Sequence, residues 1–398
     1  MGLYERNFWD GKSDMLLRVG ISFLFGIFTM TIVYYLFPEL HLNRGEFSLA
    51  AEIAFGGVLL LRFLFINVSD YELLKRRVLV LGVGQNAVQL EELAERKRLD
   101  FLIMGYIQIH EDENPQVQDD RMLQVTGSLY DLAEKLHINE IVVAMDDRRK
   151  GFPLQEVLEC KIEGIQISNF LSFFERETGK IQLDALHPSN LIFAENFQGA
   201  LLKRIAKRLF DVGASVILLA LAWPIMLLAA LAIWIESGFR GPILYRQTRV
   251  GLNGGLFDLI KFRSMRVDAE QDGVAQWAQM GDNRITRVGM VLRLTRIDEL
   301  PQLFNVLQGS MSFVGPRPER PQFVAELSQK IPFYTMRHMV NPGITGWAQI
   351  CYPYGASEQD AREKLQYDLY YIRNYSFFFD TLILLQTVYT ILWSKSAR

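Results

Sequence analysis

A chain of 398 residues, half of them hydrophobic, holds more core than one domain needs. Its net charge of -3 excludes the global positive field of a nucleic-acid binder, so no nucleic-acid partner is expected and any charge logic is local. Two cysteines, Cys160 and Cys351, with no CxxC pair exclude a disulfide scaffold and a cysteine-bound zinc, and fit a reducing compartment.

Residues 1–74 read as a membrane region. VGISFLFGIFTMTIVYYLF, Val19 to Phe37, is 19 residues without a charge, close to the ~20 that cross a bilayer core. A cleaved signal peptide fits less well, because the run is long and no small-residue cleavage site follows it. The sequence predicts two transmembrane helices, at about 16–37 and 47–66; Glu52 and Arg62 weaken the second, although Arg62 is near enough to its end to snorkel. Arg6, Lys12 and Arg18 precede the pair and Lys75, Arg76 and Arg77 follow it, which puts both ends on the cytoplasmic side.

Residues 75–198 read as a soluble module. RRVLVLGVGQNAVQLEELAERK predicts a strand, a glycine turn at Gly82 and Gly84, and an amphipathic helix; FLIMGYIQ and then DLAEKLHINEIVVAM continue the alternation of a Rossmann-like parallel sheet. GVGQNA matches GxGxxA, whose glycines let a phosphate approach a helix amino terminus. No acid closes FLIMGYIQ to hold a ribose hydroxyl, so a nucleotide turn at Gly82 and Gly84 and a plain tight turn both stay open.

Residues 199–239 carry a third apolar run, uncharged for 24 residues from Val212 to Ile235, with Pro224 at its midpoint. Proline removes a helical hydrogen bond and bends a helix. Lys203, Arg204, Lys207 and Arg208 stand before the run and Arg240, Arg246 and Arg249 after it, so both ends ask for the cytoplasmic side. The sequence therefore predicts a re-entrant membrane helix broken at Pro224, preceded by a basic amphipathic face lying on anionic headgroups; a Pro-kinked full span is the alternative. Near the other end SFFFDTLILLQTVYTILWSK is interrupted by Asp380, which predicts an interfacial or core-packed helix.

Residues 240–398 hold the chemistry. Between Arg240 and Arg320, twelve arginines and lysines against eight acids leave a local charge of +4, which points to an anionic substrate. Leu300, Leu303, Phe304 and Leu307 recur at helical spacing, with Pro301 in the first turn and Gly309 past the end. DELPQLFNVLQG is thus a short amphipathic helix opening at Asp298 and Glu299. Two readings fit that pair: a helix cap, or an ionised nucleophile with a neighbour that holds a divalent cation. Trp347 and Gln349 are candidate substrate contacts, Pro342, Gly343 and Gly346 shape a turn, and His338 reads as structural.

GPILYRQTRVG, FDLIKFRSM, RITRVGMVLRLTRIDELPQLFNVLQGSMSFVGPRPERP and NPGITGWAQI resemble, in order and spacing, the bacterial sugar transferase family, the monotopic polyprenyl-phosphate phosphoglycosyl transferases, over about Leu201 to Arg398. The whole arrangement is similar to the family's large form, the initiating type for exopolysaccharide and O-antigen: N-terminal membrane helices, a Rossmann-like module, a re-entrant helix and a mainly helical α+β catalytic domain on the membrane surface. It departs from that form in having two predicted N-terminal helices where four are usual, and in carrying Trp223 before Pro224. The resemblance implies that Asp298 attacks a UDP-sugar, that Glu299 and Asp298 hold Mg²⁺, that Lys261 and Arg263 line the pocket, and that Pro316, Arg317 and Pro318 bind substrate phosphate or nucleotide. It further implies undecaprenyl phosphate as acceptor, membrane lipid as a partner, a homodimer, and a place on the cytoplasmic face of a bacterial inner membrane. A membrane-tethered nucleotide-binding regulatory protein, with GVGQNA as its working site, is the alternative.

Overall fold

A computed structural model describes residues 44–68, 75–95, 101–109, 115–125, 127–146, 151–183, 201–266, 284–352, 355 and 357–393, with parts of 19–39. The chain divides into two compact units, Met1–Glu177 and Thr178–Arg398.

In the first unit, helix α1 (Arg44–Val68) covers the second predicted membrane segment, and the first is described in part, with helical residues between 19 and 36. Phe23 meets Phe55 edge-to-face at 5.0 Å and Tyr34 meets Phe47 at 5.6 Å. The partner numbers fall as the first numbers rise, so the two segments run antiparallel.

The alternation of strands and helices after Lys75 builds β1 (Arg76–Leu81), α2 (Gln85–Glu95), β2 (Phe101–Ile107), α3 (Leu129–Lys135), β3 (Glu140–Val143), α4 (Leu154–Ile162), β4 (Gln166–Asn169) and α5 (Phe170–Thr178). The strands pair in parallel in the order β2-β1-β3-β4. Central strands covered on both faces need apolar residues at every position. Val78 through Leu81 and Ile141 through Val143 supply them and are buried. The order places the ends of β1 and β3 side by side, where ligands usually bind in such sheets.

The second unit begins earlier than the predicted boundary at 198: Gly179 accepts a 2.7 Å hydrogen bond from Trp347 Nε1, and Ile181 N donates to Gln366 O. Its elements are α6 (Leu201–Glu236), the antiparallel hairpin β5 (Leu244–Val250) and β6 (Leu256–Phe262), α7 (Arg287–Leu294), α8 (Gln302–Gln308), β7 (Ser312–Val314), α9 (Pro321–Lys330), β8 (Gly343–Thr345), α10 (Trp347–Cys351), α11 (Glu358–Arg373) and α12 (Phe377–Trp393). Leu303, Val306, Phe313, Trp347, Leu365 and Ile383 share one core.

Helix α6 continues through Pro224, where the sequence predicts a break, and contains the one segment among the described residues, Arg204–Glu236, long and apolar enough to cross a membrane. Only 11% of its most apolar window is buried, so it is not a core helix. Residues on both sides of Pro224 nonetheless pack on the same unit. Before it, Asp211 Oδ1 accepts from Phe313 N and Ala214 joins the main core; after it, Ala229 and Ile233 pack with Phe262 and Leu292, and Glu236 Oε1 accepts from Val288 N.

The basic face assigned from sequence to lipid headgroups is divided. Arg208 donates to Val306 O and Leu307 O at the carboxyl end of α8, where a cation offsets the helix dipole, and Lys207 Nζ meets buried Asp380 at 2.6 Å. Two of the four basic side chains therefore turn inward. Helix α12 is core-packed on the face of Asp380 and Ile383, as the Asp380 interruption predicts, and exposes Phe377, Phe378 and Val388 on the other.

Candidate active site

Thr286 caps α7 by accepting from Gly289 N, and the chain then reverses at Arg296, which sits in the left-handed region (φ 58°). A side chain there costs roughly 1–2 kcal/mol. The reversal places Asp298 and Glu299 in a separate 3₁₀ turn, Ile297–Glu299, ahead of α8. This corrects the capping reading: Pro301 occupies the cap position of α8, and neither carboxylate hydrogen-bonds its amides.

Asp298 is 6% exposed and has no hydrogen-bond or ion-pair partner among the described residues. Burial raises its pKa to about 6, with the charge of Glu299 adding to the rise and Lys261, Arg293 and Arg296 opposing it. Desolvation thus outweighs the neighbouring cations, and a carboxyl that titrates at about 6 is still mainly ionised at pH 7. Glu299 shows the reverse balance. Burial would raise its pKa, but Arg317, Arg296 and Lys261 together hold it below the ordinary value. Arg296 Nη1 and Arg317 Nη2 both donate to Glu299 Oε1 at 3.2 Å.

Lys261, on β6, is pushed down to about 8 by burial and by the repulsion of Arg317 and Arg249, against the attraction of Glu299 and Asp298. Cations that lower one another's pKa mark a place built for an anion. Arg317 is half-exposed and reaches Gln349 Oε1 at 3.1 Å as well as Glu299. Arg263 is buried just past the end of β6, its Nη1 without a hydrogen-bond partner among the described residues. Pro316 and Pro318 are buried too, so they shape the loop that presents Arg317.

That loop lies against β8 at unusually short range. A Cβ on Gly343 would stand 2.1 Å from Gly315 N, and one on Gly346 2.2 Å from Gly315 O. The glycines of NPGITG thus permit two backbones to touch, a different reason for their presence than a turn. Trp347 is buried in the core and donates to Gly179 O, which removes it from the candidate substrate contacts, whereas Gln349 stays at the site. His338 is held near pH 4 by burial and by Arg337, in keeping with a structural role.

Sequence reasoning missed Arg249, Arg296 and Arg337 as members of this neighbourhood. Alternation along β5 was the available signal: Tyr245, Gln247 and Arg249 share a face, Gln247 Nε2 donates to Tyr245 Oη, and Arg249 Nη2 donates to Gln247 Oε1 at 2.6 Å.

No group of three or more His, Cys, Asp or Glu side chains converges among the described residues. Two adjacent carboxylates, with Oε2 of Glu299 left by the arginines that take Oε1, are chemically suited to a hard divalent cation.

The glycine turn of the first unit is occupied from within. Asp146, in the loop after β3, accepts from Gln85 N at 2.9 Å through Oδ2 and from Asn86 N at 3.1 Å through Oδ1. A Cβ on Gly84 would lie 2.2 Å from that carboxylate, and Gly82 adopts φ 121°. The amides that would meet a phosphate already hold an anion.

Residues 202–394 match the family model described as bacterial sugar transferase. The chain is 44% identical over 257 residues to a UDP-N-acetylgalactosamine-undecaprenyl-phosphate N-acetylgalactosaminephosphotransferase of Aeromonas hydrophila, covering 64% of this chain and 58% of that protein. It is 34% identical over 332 residues to a UDP-glucose:undecaprenyl-phosphate glucose-1-phosphate transferase of Klebsiella pneumoniae, covering 81% and 69%. Over 190 residues it is 42% identical to the exopolysaccharide production protein PSS of Rhizobium leguminosarum bv. phaseoli, covering 46% and 94%. The chain thus spans little more than half the length of the Aeromonas relative.

Proposed function

This chain belongs to the bacterial sugar transferase family, and from that premise we propose that it transfers a sugar 1-phosphate from a UDP-sugar to polyprenyl phosphate. UMP leaves, and the product is a polyprenyl-diphosphate-linked sugar, the first unit of an exopolysaccharide or O-antigen type glycan. The relatives' names supply the substrate pair, undecaprenyl phosphate and a UDP-sugar.

The observation that carries the reading is Asp298 itself: buried, unpaired among the described residues, and faced by Lys261, Arg293 and Arg296. A carboxylate used for structure has partners, and this one is kept without them. In the proposed mechanism an oxygen of Asp298 attacks the β-phosphorus of the donor, and the bond to the bridging oxygen breaks as UMP departs with the electron pair. The sugar phosphate is then held on Asp298 as a mixed anhydride. An oxygen of polyprenyl phosphate attacks the same phosphorus, the bond to Asp298 breaks, and the carboxylate is restored. Arg317 and Lys261 offset charge on the diphosphate, with Arg249 behind them. Glu299 with Asp298 would hold Mg²⁺, which supplies further charge compensation when bound.

We place the catalytic unit on the cytoplasmic face of a bacterial inner membrane, with α6 bent at Pro224 so that it enters one leaflet and keeps both ends on that face. Packing of the same unit on both sides of Pro224 supports this, because a helix that crossed the bilayer would carry one end away. The regulatory alternative loses support from Asp146, which fills the turn it needs.

The test is a panel of UDP-sugars with undecaprenyl phosphate, Mg²⁺ and detergent-solubilised protein, reading UMP release and, by mass spectrometry, a phosphosugar adduct at residue 298. Asp298→Asn releasing UMP at the native rate would falsify the nucleophile assignment.

A further inference from the structure

Four consecutive carbonyls of the Arg317 loop each accept a hydrogen bond. Pro316 O accepts from Gly343 N at 2.9 Å, Arg317 O from Arg337 Nη2 at 3.0 Å, Pro318 O from Arg249 Nη1 at 3.1 Å, and Glu319 O from Val250 N at 3.0 Å. Proline has no N–H to offer, so in a Pro-Arg-Pro segment the carbonyls are the main backbone handles.

Two of the four donors are guanidinium groups, and that of Arg337 is the more buried. Arg337 stands on a 3₁₀ turn, Tyr334–Met339, and is 7% exposed. Its Nη1 donates to the Tyr334 hydroxyl at 2.6 Å, and its Nη2 lies 2.8 Å from Oδ2 of Asp368, which sits on α11 and is 2% exposed. A buried ion pair is a weak source of stability, because desolvation of both charges offsets most of their attraction. What this pair supplies is geometry: a charged donor fixed on the peptide carbonyl of Arg317, which restrains the backbone that carries the Arg317 side chain.

We propose that Arg337, neutralised by Asp368, is a positioning residue for phosphosugar transfer. It holds the carbonyl of Arg317 so that the Arg317 guanidinium, steadied by Gln349 Oε1, points at Glu299 and at the donor's phosphate. The inference rests on the reading of Arg317 as a phosphate-binding group.

The experiment is a double-mutant cycle on the full chain in detergent, reading kcat/KM for the UDP-sugar by UMP release, with thermal unfolding of each variant. Arg337→Lys keeps the charge and loses the planar fork. It is expected to unfold within a few degrees of the parent while kcat/KM falls roughly tenfold to a hundredfold, the scale of a misplaced binding group. In an Arg317→Lys background the same change should cost less than about threefold, since no guanidinium remains to be aimed. A full-sized loss in that background, or no loss in the parent, overturns the proposal. Should Arg337→Lys fail to fold, Asp368→Asn, which conserves volume, enters the same cycle with the same two outcomes. Parental kinetics for Arg317→Lys alone would instead remove the phosphate role of Arg317, and the inference with it, while leaving Asp298 untouched.

Discussion

Asp146 and Asp298 are aspartates placed at the entrance to a helical segment, one in each unit, and they differ in what their oxygens touch. Asp146 gives one oxygen each to Gln85 N and Asn86 N, so its charge is spent on the first turn of α2. Asp298 is turned away from α8 by the left-handed Arg296, touches no donor among the described residues, and lies in the core of a cationic wall. The comparison teaches that a carboxylate's role follows from satisfaction, not from residue type or from nearness to a helix. A satisfied carboxylate stabilises; a desolvated and unsatisfied one is a reservoir of reactivity.

The sharpest way to break the contrast is substitution at the two positions. Asp298→Asn is expected to lower UMP release more than about a thousandfold, as loss of a covalent nucleophile does. Asp146→Ala should leave that rate within about twofold, since α2 and the 3₁₀ turn belong to different units.

The pH profile of kcat/KM tests the electrostatic half of the argument. Attack requires ionised Asp298, so the rate should fall about tenfold per pH unit below about 6; Lys261 loses its charge above about 8, which gives a bell. Lys261→Arg should move only the alkaline limb. A flat profile from pH 5 to 9 would contradict both assignments.

Stability should respond with opposite signs. Burial lifts Asp298 to about 6 in the folded state, above the ~3.9 of an unfolded chain, so its ionisation opposes folding. That penalty is absent below about pH 4 and complete above about pH 6. Asp298→Asn should therefore raise stability by roughly 3 kcal/mol at pH 7 and leave it unchanged at pH 4, measured by denaturant midpoints. Asp146→Ala removes a cap and is the smallest effect, a loss of about 1 kcal/mol. Equal signs for the two variants at pH 7 would dissolve the distinction.

Much of this was legible in the sequence because it is local. Val78–Leu81 and Ile141–Val143 announce strands covered on both faces, Pro301 and Gly309 bracket α8, and Asp380 marks α12 as a packed helix. Asp298, Glu299, Lys261 and Arg317 do share one electrostatic neighbourhood. Other readings missed because they depended on a distant partner. Lys207 and Arg208 look like lipid-facing bases until Asp380 and the carbonyls of α8 claim them, 173 and about 98 residues away. Gly343 and Gly346 look like turn formers until Gly315 is laid against them.

The sequence alone determined the parts: apolar runs, the sheet module, the family motifs, and the charged residues available for phosphate chemistry. Periodicity and local sterics act over a few residues, and a sequence displays them directly. Tertiary structure decided which charges are satisfied and which are left bare, because hydrogen bonding and desolvation depend on neighbours brought together across the chain. Asp146 found its donors in this way, and Asp298 meets none among the described residues.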